Sequence, residues 1–176
     1  MLVILGESAS GKSTVQDILC ERYGFSKLIT YTTRKPRKGE LDGRDYHFVS
    51  AERFKELLNS NFFCESAIYN GWNYGTATED CMNNRVAVLT PRGFRQIKKM
   101  VATTSFYINV PRRDRLIKIL NRGDNIEEAY RRSLSDVGMF DGIADEVDFV
   151  INNDGYSKSP IEIAEELINT YGLKEE

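Results

Sequence analysis

No apolar run in this 176-residue chain is long enough to cross a membrane, and Met1 leads directly into Leu2-Val3-Ile4-Leu5 with no basic leader before it. That pattern favours a cytoplasmic protein with no membrane partner. Cysteine is scarce: Cys20, Cys64 and Cys81 are widely spaced and lack the short paired spacing of a zinc site or a disulfide framework. Cys20 follows Ile18-Leu19 and reads as a packing residue, whereas Cys64 and Cys81 receive no role. The single histidine, His47, lies in an alternating segment and reads as a packing group, not an acid–base catalyst. Excess charge of one sign is also missing. A formal net charge of -2 gives no overall attraction to nucleic acid. There is no internal repeat and no low-complexity tail.

What is present begins at Gly6. Gly6-Glu7-Ser8-Ala9-Ser10-Gly11-Lys12-Ser13 fits the phosphate-loop pattern G-x-x-x-x-G-K-S/T, and Thr14 continues it into a helix-compatible stretch. The glycines permit a tight turn whose successive N–H groups point at a polyphosphate, and the following helix adds its positive end. Lys12 is expected to reach the β- and γ-phosphates of ATP, and the Ser13 hydroxyl to join the Mg²⁺ shell. A glycine-rich turn before a helix is the plain alternative. Elsewhere positive charge is local: Arg34, Lys35, Arg37 and Lys38 crowd one stretch, and Arg112, Arg113, Arg115, Lys118, Arg122, Arg131 and Arg132 another. Such clusters suit small phosphate-rich ligands or a solvated surface.

Apolar residues make up 41% of the chain and charged residues 28%, which suits one compact unit. Strands are expected at 2–5, 26–30, 46–49, 62–65, 67–69, 86–89, 105–110 and 149–151. Helices are expected at 13–22, at 52–58 with Phe54, Leu57 and Leu58 inward, from Pro91 through Ile97, over 112–135 with a break at Arg122-Gly123-Asp124, and after Pro160. Strands alternating with helices favour a parallel sheet covered on both sides.

The segment Thr30-Tyr31-Thr32-Thr33-Arg34-Lys35-Pro36-Arg37, followed by Gly39-Glu40, Asp45-Tyr46-His47-Phe48, Phe63-Cys64-Glu65 and Asn73-Tyr74-Gly75-Thr76, resembles the nucleoside-monophosphate-binding part of the guanylate kinase family. The resemblance implies an α/β phosphate-loop kinase core with a parallel sheet (residues 1–30, 83–111 and 136–176), an inserted monophosphate-binding lobe (31–82) and a short lid (112–135). All of these would lie in a single domain over 1–176. It implies ATP-dependent phosphorylation of GMP or dGMP by a monomer or homodimer, with Mg²⁺ as cofactor. Arg34, Arg37, Tyr46 and Tyr74 would hold the acceptor phosphate, arginine offering a bidentate fork and tyrosine a directional hydroxyl. Glu65 would accept from the N1–H and exocyclic amine of guanine, with Thr30 and Thr76 keeping hydroxyls near the base. Taken alone, Tyr46 could be an ordinary half-buried aromatic and Glu65 a surface carboxylate. In the lid, Arg122 matches the arginine of an arginine–glycine pair. Arg132 is the favoured second clamp, because the family's position for it is Ser133. Asn153, in Ile151-Asn152-Asn153-Asp154, would lie beside the adenine of ATP, although Asn-Asn-Asp-Gly also reads as a simple turn.

One segment departs from the family. Leu89-Thr90-Pro91-Arg92-Gly93 carries Thr90 where an aspartate is usual, Arg92 near a second acidic position, and about two residues fewer. Three expectations follow: a GMP kinase, a kinase for another monophosphate or small phosphate ester, or a nucleotide-binding module with weak catalysis.

Overall fold

The computed structural model describes residues 1–37, 39–81, 84–121, 123 and 126–172, with Glu128 and Ala129 described by their backbone alone. Five strands form a parallel sheet: β1 (Leu2–Leu5), β2 (Ser26–Lys27), β7 (Arg85–Val88), β8 (Thr104–Asn109) and β9 (Phe149–Asn152), in the order β2-β7-β1-β8-β9. All four residues of β1 are buried, as an unbroken apolar run at the centre of a parallel sheet requires. Its alternate side chains serve two cores. Leu2 and Ile4 pack with Val15 and Leu19 of α1 (Lys12–Tyr23) and Leu167 of α6 (Pro160–Gly172). Val3 and Leu5 pack on the opposite face with Phe94 and Ile97 of α3 (Pro91–Ile97). Burying both faces in this way makes β1 the fixed axis from which the phosphate loop springs.

Between β2 and β7 the chain builds a second, four-stranded sheet in the order β4-β3-β6-β5, from β3 (Tyr31–Thr32), β4 (His47–Phe48), β5 (Phe63–Tyr69) and β6 (Trp72–Ala77). The two strands expected at 62–65 and 67–69 are one continuous strand. It pairs antiparallel with β6 around Asn70-Gly71, two consecutive positive-φ residues that match a tight hairpin turn. Gly75, expected in a loop, lies within β6 because its missing side chain makes room: a Cβ there would meet the Phe63 ring at 2.9 Å. Helix α2 (Ala51–Asn59) begins at Ser50, whose hydroxyl accepts the Arg53 N–H at 3.1 Å. Phe54 and Leu57 are buried as expected, but Leu58 is 45% exposed because the buried face of so short a helix is narrow. The expected strand at 26–30 shortens to Ser26–Lys27.

Two helices, α4 (Arg112–Asn121) and α5 (Ile126–Asp136), follow β8 and lie over the carboxyl end of the sheet beside the phosphate loop. Among the described residues no helix is long and apolar enough to cross a membrane.

Candidate active site

A strand that ends in a buried position must turn sharply to release the phosphate loop, and Gly6 does this where no other residue fits. A Cβ at Gly6 would sit 2.5 Å from Ser10 Oγ and 2.9 Å from the Ile108 carbonyl oxygen. Ala9 and Gly11 also take positive φ, curling the loop before α1 begins at Lys12. Lys12 Nζ donates to the Glu7 carbonyl at 2.6 Å and lies 3.4 Å from Ser10 Oγ. Burial lowers its ammonium to about 8, against the opposing pull of Asp136 and Glu7. Ser13 and Thr14 are exposed at the start of α1, and Ser10 is buried as part of the turn.

The loop opens into a cavity of about 340 Å³ whose far wall comes from the small sheet. Thr30, Arg34, Arg37, Tyr46, Glu65 and Tyr74 line that wall, so residues spread over more than forty positions converge on one space with Lys12. Arg34 is 8% exposed. Its guanidinium donates to Glu40 Oε1 at 2.9 Å and to the Lys35 carbonyl at 2.9 Å, and it lies 5.1 Å over the Tyr46 ring. Burial works against the charge on Glu40. The hydrogen bond from Arg34 and the Arg37 N–H outweigh it and hold that carboxyl below its ordinary range. Tyr46 stands just before β4 and is packed against Phe48 and Tyr74.

Glu65 is 4% exposed, which removes the surface-carboxylate alternative. Burial raises its carboxyl to about 7, although the Thr76 hydroxyl donates to Oε1 at 2.6 Å and pulls the other way. Thr76 is fully buried and acts on the cavity through Glu65. The other carboxylate oxygen faces Gly93: a Cβ there would stand 2.7 Å from Oε2. Gly93 is a site residue that the sequence identifies only as part of a helix. Thr90 also lines the cavity, and it caps α3 by accepting the Gly93 N–H at 3.2 Å. The Thr90 hydroxyl thus helps to start this helix at the edge of the cavity. Arg92 is exposed.

Asp136 and Arg115 tie the cavity walls together; the sequence shows Arg115 only as part of a basic stretch and gives no sign of Asp136. Asp136, at the end of α5, accepts the Ser8 N–H at 2.8 Å and the Tyr69 hydroxyl at 3.0 Å, and lies 3.5 Å from the Arg115 guanidinium. Arg115 also reaches Glu7 at 3.3 Å and the Val110 carbonyl at 3.0 Å. Arg115, from the basic stretch at 112–132, is thus paired with carboxylates that lie outside that stretch. From the same stretch, Lys118 and Arg132 line the main cavity. Ser133 is buried beside Glu7, Arg115 and Asp136 around a second cavity of about 270 Å³. Arg122 lies outside the described residues. Asn153 is buried but does not line the cavity: its amide oxygen accepts the Lys158 N–H at 2.8 Å, and its amide nitrogen donates to the Lys158 carbonyl at 3.2 Å. The turn it closes is attached to the phosphate loop through the Tyr156 hydroxyl, which donates to the Ala9 carbonyl at 2.9 Å.

Three comparisons bear on this arrangement. Residues 1–170 match the family model described as guanylate kinase. A guanylate kinase of Nitratidesulfovibrio vulgaris is 39% identical over 144 residues, covering 77% of this chain and 70% of that one. One from Trichormus variabilis is 35% identical over 175 residues, covering 93% and 88%. The crystal structure of guanylate kinase from Anaplasma phagocytophilum superposes with a TM-score of 0.75 at 25% identity, covering 99% of this chain and 85% of that one.

Proposed function

This chain belongs to the guanylate kinase family, and from that premise we propose that it transfers the γ-phosphoryl group of ATP to GMP or dGMP, giving ADP and GDP or dGDP. The observation that carries the proposal is one cavity with Lys12 and the phosphate loop at one end and a buried Glu65 near Arg34 at the other.

At the acceptor end, Arg34 and Arg37 would hold the monophosphate with the Tyr46 and Tyr74 hydroxyls. Arg34 is already aimed by Glu40 and by the Tyr46 ring, so little rotamer freedom is left to lose on binding. Ionised Glu65 would accept the guanine N1–H and 2-amino hydrogens, with Thr30 near the base. Adenine has no N1–H, so it would leave a buried carboxylate oxygen unsatisfied, which is a penalty of about 1–3 kcal/mol or more.

At the donor end, the loop N–H groups would receive the ATP phosphates, and Lys12 would exchange the Glu7 carbonyl for a phosphate oxygen. Ser13 fits a Mg²⁺ site of the usual kind, in which one hydroxyl, water and phosphate oxygens complete the shell; among the described residues no group of three or more side chains forms a dedicated metal cage. Mg²⁺ bound there supplies charge neutralisation to the transferring phosphoryl group. Arg132 and Lys118 would approach from α5 and α4 to counter the charge that develops and, with the α4–α5 pair closed, exclude water.

The test is ADP release by the folded chain with ATP, Mg²⁺ and each of GMP, dGMP, AMP, UMP, CMP and dTMP. GMP or dGMP is expected to stimulate most; the absence of stimulation by any monophosphate contradicts a kinase. A hydroxyl at Thr90, where the family pattern has a carboxylate, is the one observation that favours another acceptor or weak catalysis. Those readings give, respectively, a different best monophosphate and GMP binding without turnover.

A further inference from the structure

Cysteines 64 and 81, which the sequence leaves without a role, form a pair. Their Sγ atoms are 2.8 Å apart, about 0.8 Å longer than the ~2.05 Å of a disulfide bond. The sequence gives no sign of this contact because a strand irregularity creates it. The β5–β6 register shifts between Phe63 and Glu65, which makes Cys64 the extra residue of a bulge. Its thiol turns into the apolar cluster with Leu28, Leu89 and Phe94, while its neighbour Glu65 faces the cavity. Cys81 follows the single helical turn Thr78–Asp80 after β6. Its N–H donates to the Thr78 carbonyl at 3.3 Å and its thiol lies 3.5 Å from the Ala77 carbonyl, so its sulfur too is held in place by the backbone.

The two thiols are not equivalent. Cys64 is 8% exposed, and its hydrogen bond to Cys81, with burial, raises its thiol. Accepting that hydrogen bond lowers Cys81, which is only half-buried and within reach of a small oxidant. A thiolate is the reactive form of cysteine, so the less buried Cys81 is the nucleophile and the buried Cys64 the resolving thiol.

We propose that Cys64 and Cys81 are an oxidisable dithiol site that reacts with hydroperoxides and closes to an intramolecular disulfide. The Cys81 thiolate attacks one oxygen of hydrogen peroxide. An S–O bond forms as the O–O bond breaks, and the departing hydroxide takes a proton to become water. Cys64 then attacks the Cys81 sulfenic sulfur; the S–S bond forms, the S–O bond breaks and the second water leaves. Two thiols are oxidised by two electrons in all and one peroxide is reduced to two waters. A dithiol reductant reverses the result.

The test does not depend on kinase activity. The full chain is reduced, freed of reductant and treated with hydrogen peroxide, then examined by intact-mass measurement and peptide mapping. The expected result is the loss of two hydrogens and a peptide joining Cys64 to Cys81, both reversed by dithiothreitol. Cys20→Ser is expected to behave as the parent chain does. Cys64→Ser is expected to stop at one added oxygen on Cys81 that dimedone traps, and Cys81→Ser to form no crosslink. Oxygen added to the parent chain without a 64–81 crosslink, a crosslink through Cys20, or intact thiols in excess peroxide would each overturn the proposal.

Discussion

At Glu65, burial and recognition pull in opposite directions, and pH exposes the conflict. The folded carboxyl at about 7 stands above its ordinary 4.5, so the folded chain holds a proton over that interval which the unfolded chain has released. Glu65's contribution to stability is therefore expected to be fully present below 4.5, to be lost by roughly 3 kcal/mol as pH rises to about 7, and then to level off. Urea unfolding across that range checks this. On the proposed function guanine would bind the ionised form, so the KM for GMP should rise about tenfold per unit below pH 7 while the KM for ATP stays flat. Lys12 works in the opposite range. With its ammonium at about 8 in the free chain, ATP binding should weaken above that pH. Gly93→Ala separates propensity from packing at the same carboxylate. Helix propensity alone predicts a gain of up to about 1 kcal/mol. The Cβ placed 2.7 Å from Glu65 Oε2 should instead cost about 1–3 kcal/mol and raise the KM for GMP, as melting and initial rates would show.

Among the elements, α3 carries the segment Thr90-Pro91-Arg92-Gly93, which the sequence marks as a departure from the guanylate kinase pattern. Thr90 and Pro91 start the helix with a capping hydroxyl and a residue suited to the first turn. Thr90→Ala should cost about 1 kcal/mol through the lost cap. Thr90→Asp should keep the cap within about 0.5 kcal/mol and restore a carboxylate at the cavity. If that carboxylate supports Mg²⁺-bound water, the Mg²⁺-dependent rate should rise with Thr90→Asp; an unchanged rate would show that the threonine costs no catalysis. What could be read from the sequence follows the same division. The phosphate loop is contiguous and its geometry is set by its own glycines, so its residues alone reveal it. In the sequence the β5–β6 hairpin looks like two strands and a loop, because Gly75 resembles a turn residue until the Phe63 ring occupies the space its side chain would take. The bulge at Cys64 leaves no local signal at all.

Across the whole molecule, the cavity is closed by contacts between residues far apart in the chain. Asp136 is 128 residues from Ser8 and 67 from Tyr69, yet it joins the phosphate loop, the small sheet and the α4–α5 pair. No motif could have shown that, since Asp136 acts through position alone and its partners belong to separate elements. Breaking a buried ion pair by removing one partner costs about 3–5 kcal/mol. Asp136→Asn, which keeps the shape and loses the charge facing Arg115, should cost a large part of that, measurable by denaturant unfolding. It should also loosen the α4–α5 pair, so that ATP hydrolysis without acceptor rises relative to GMP phosphorylation. On the proposed function, the two ends of one cavity pair ATP with guanine through Glu65. The most direct test of that pairing is the ratio of kcat/KM for GMP to that for AMP in the parent chain and in Glu65→Gln. The parent is expected to favour GMP by about 100-fold or more, and the variant to lose most of this preference through GMP alone. A parent chain indifferent to the base, or a variant that keeps the preference, would contradict it.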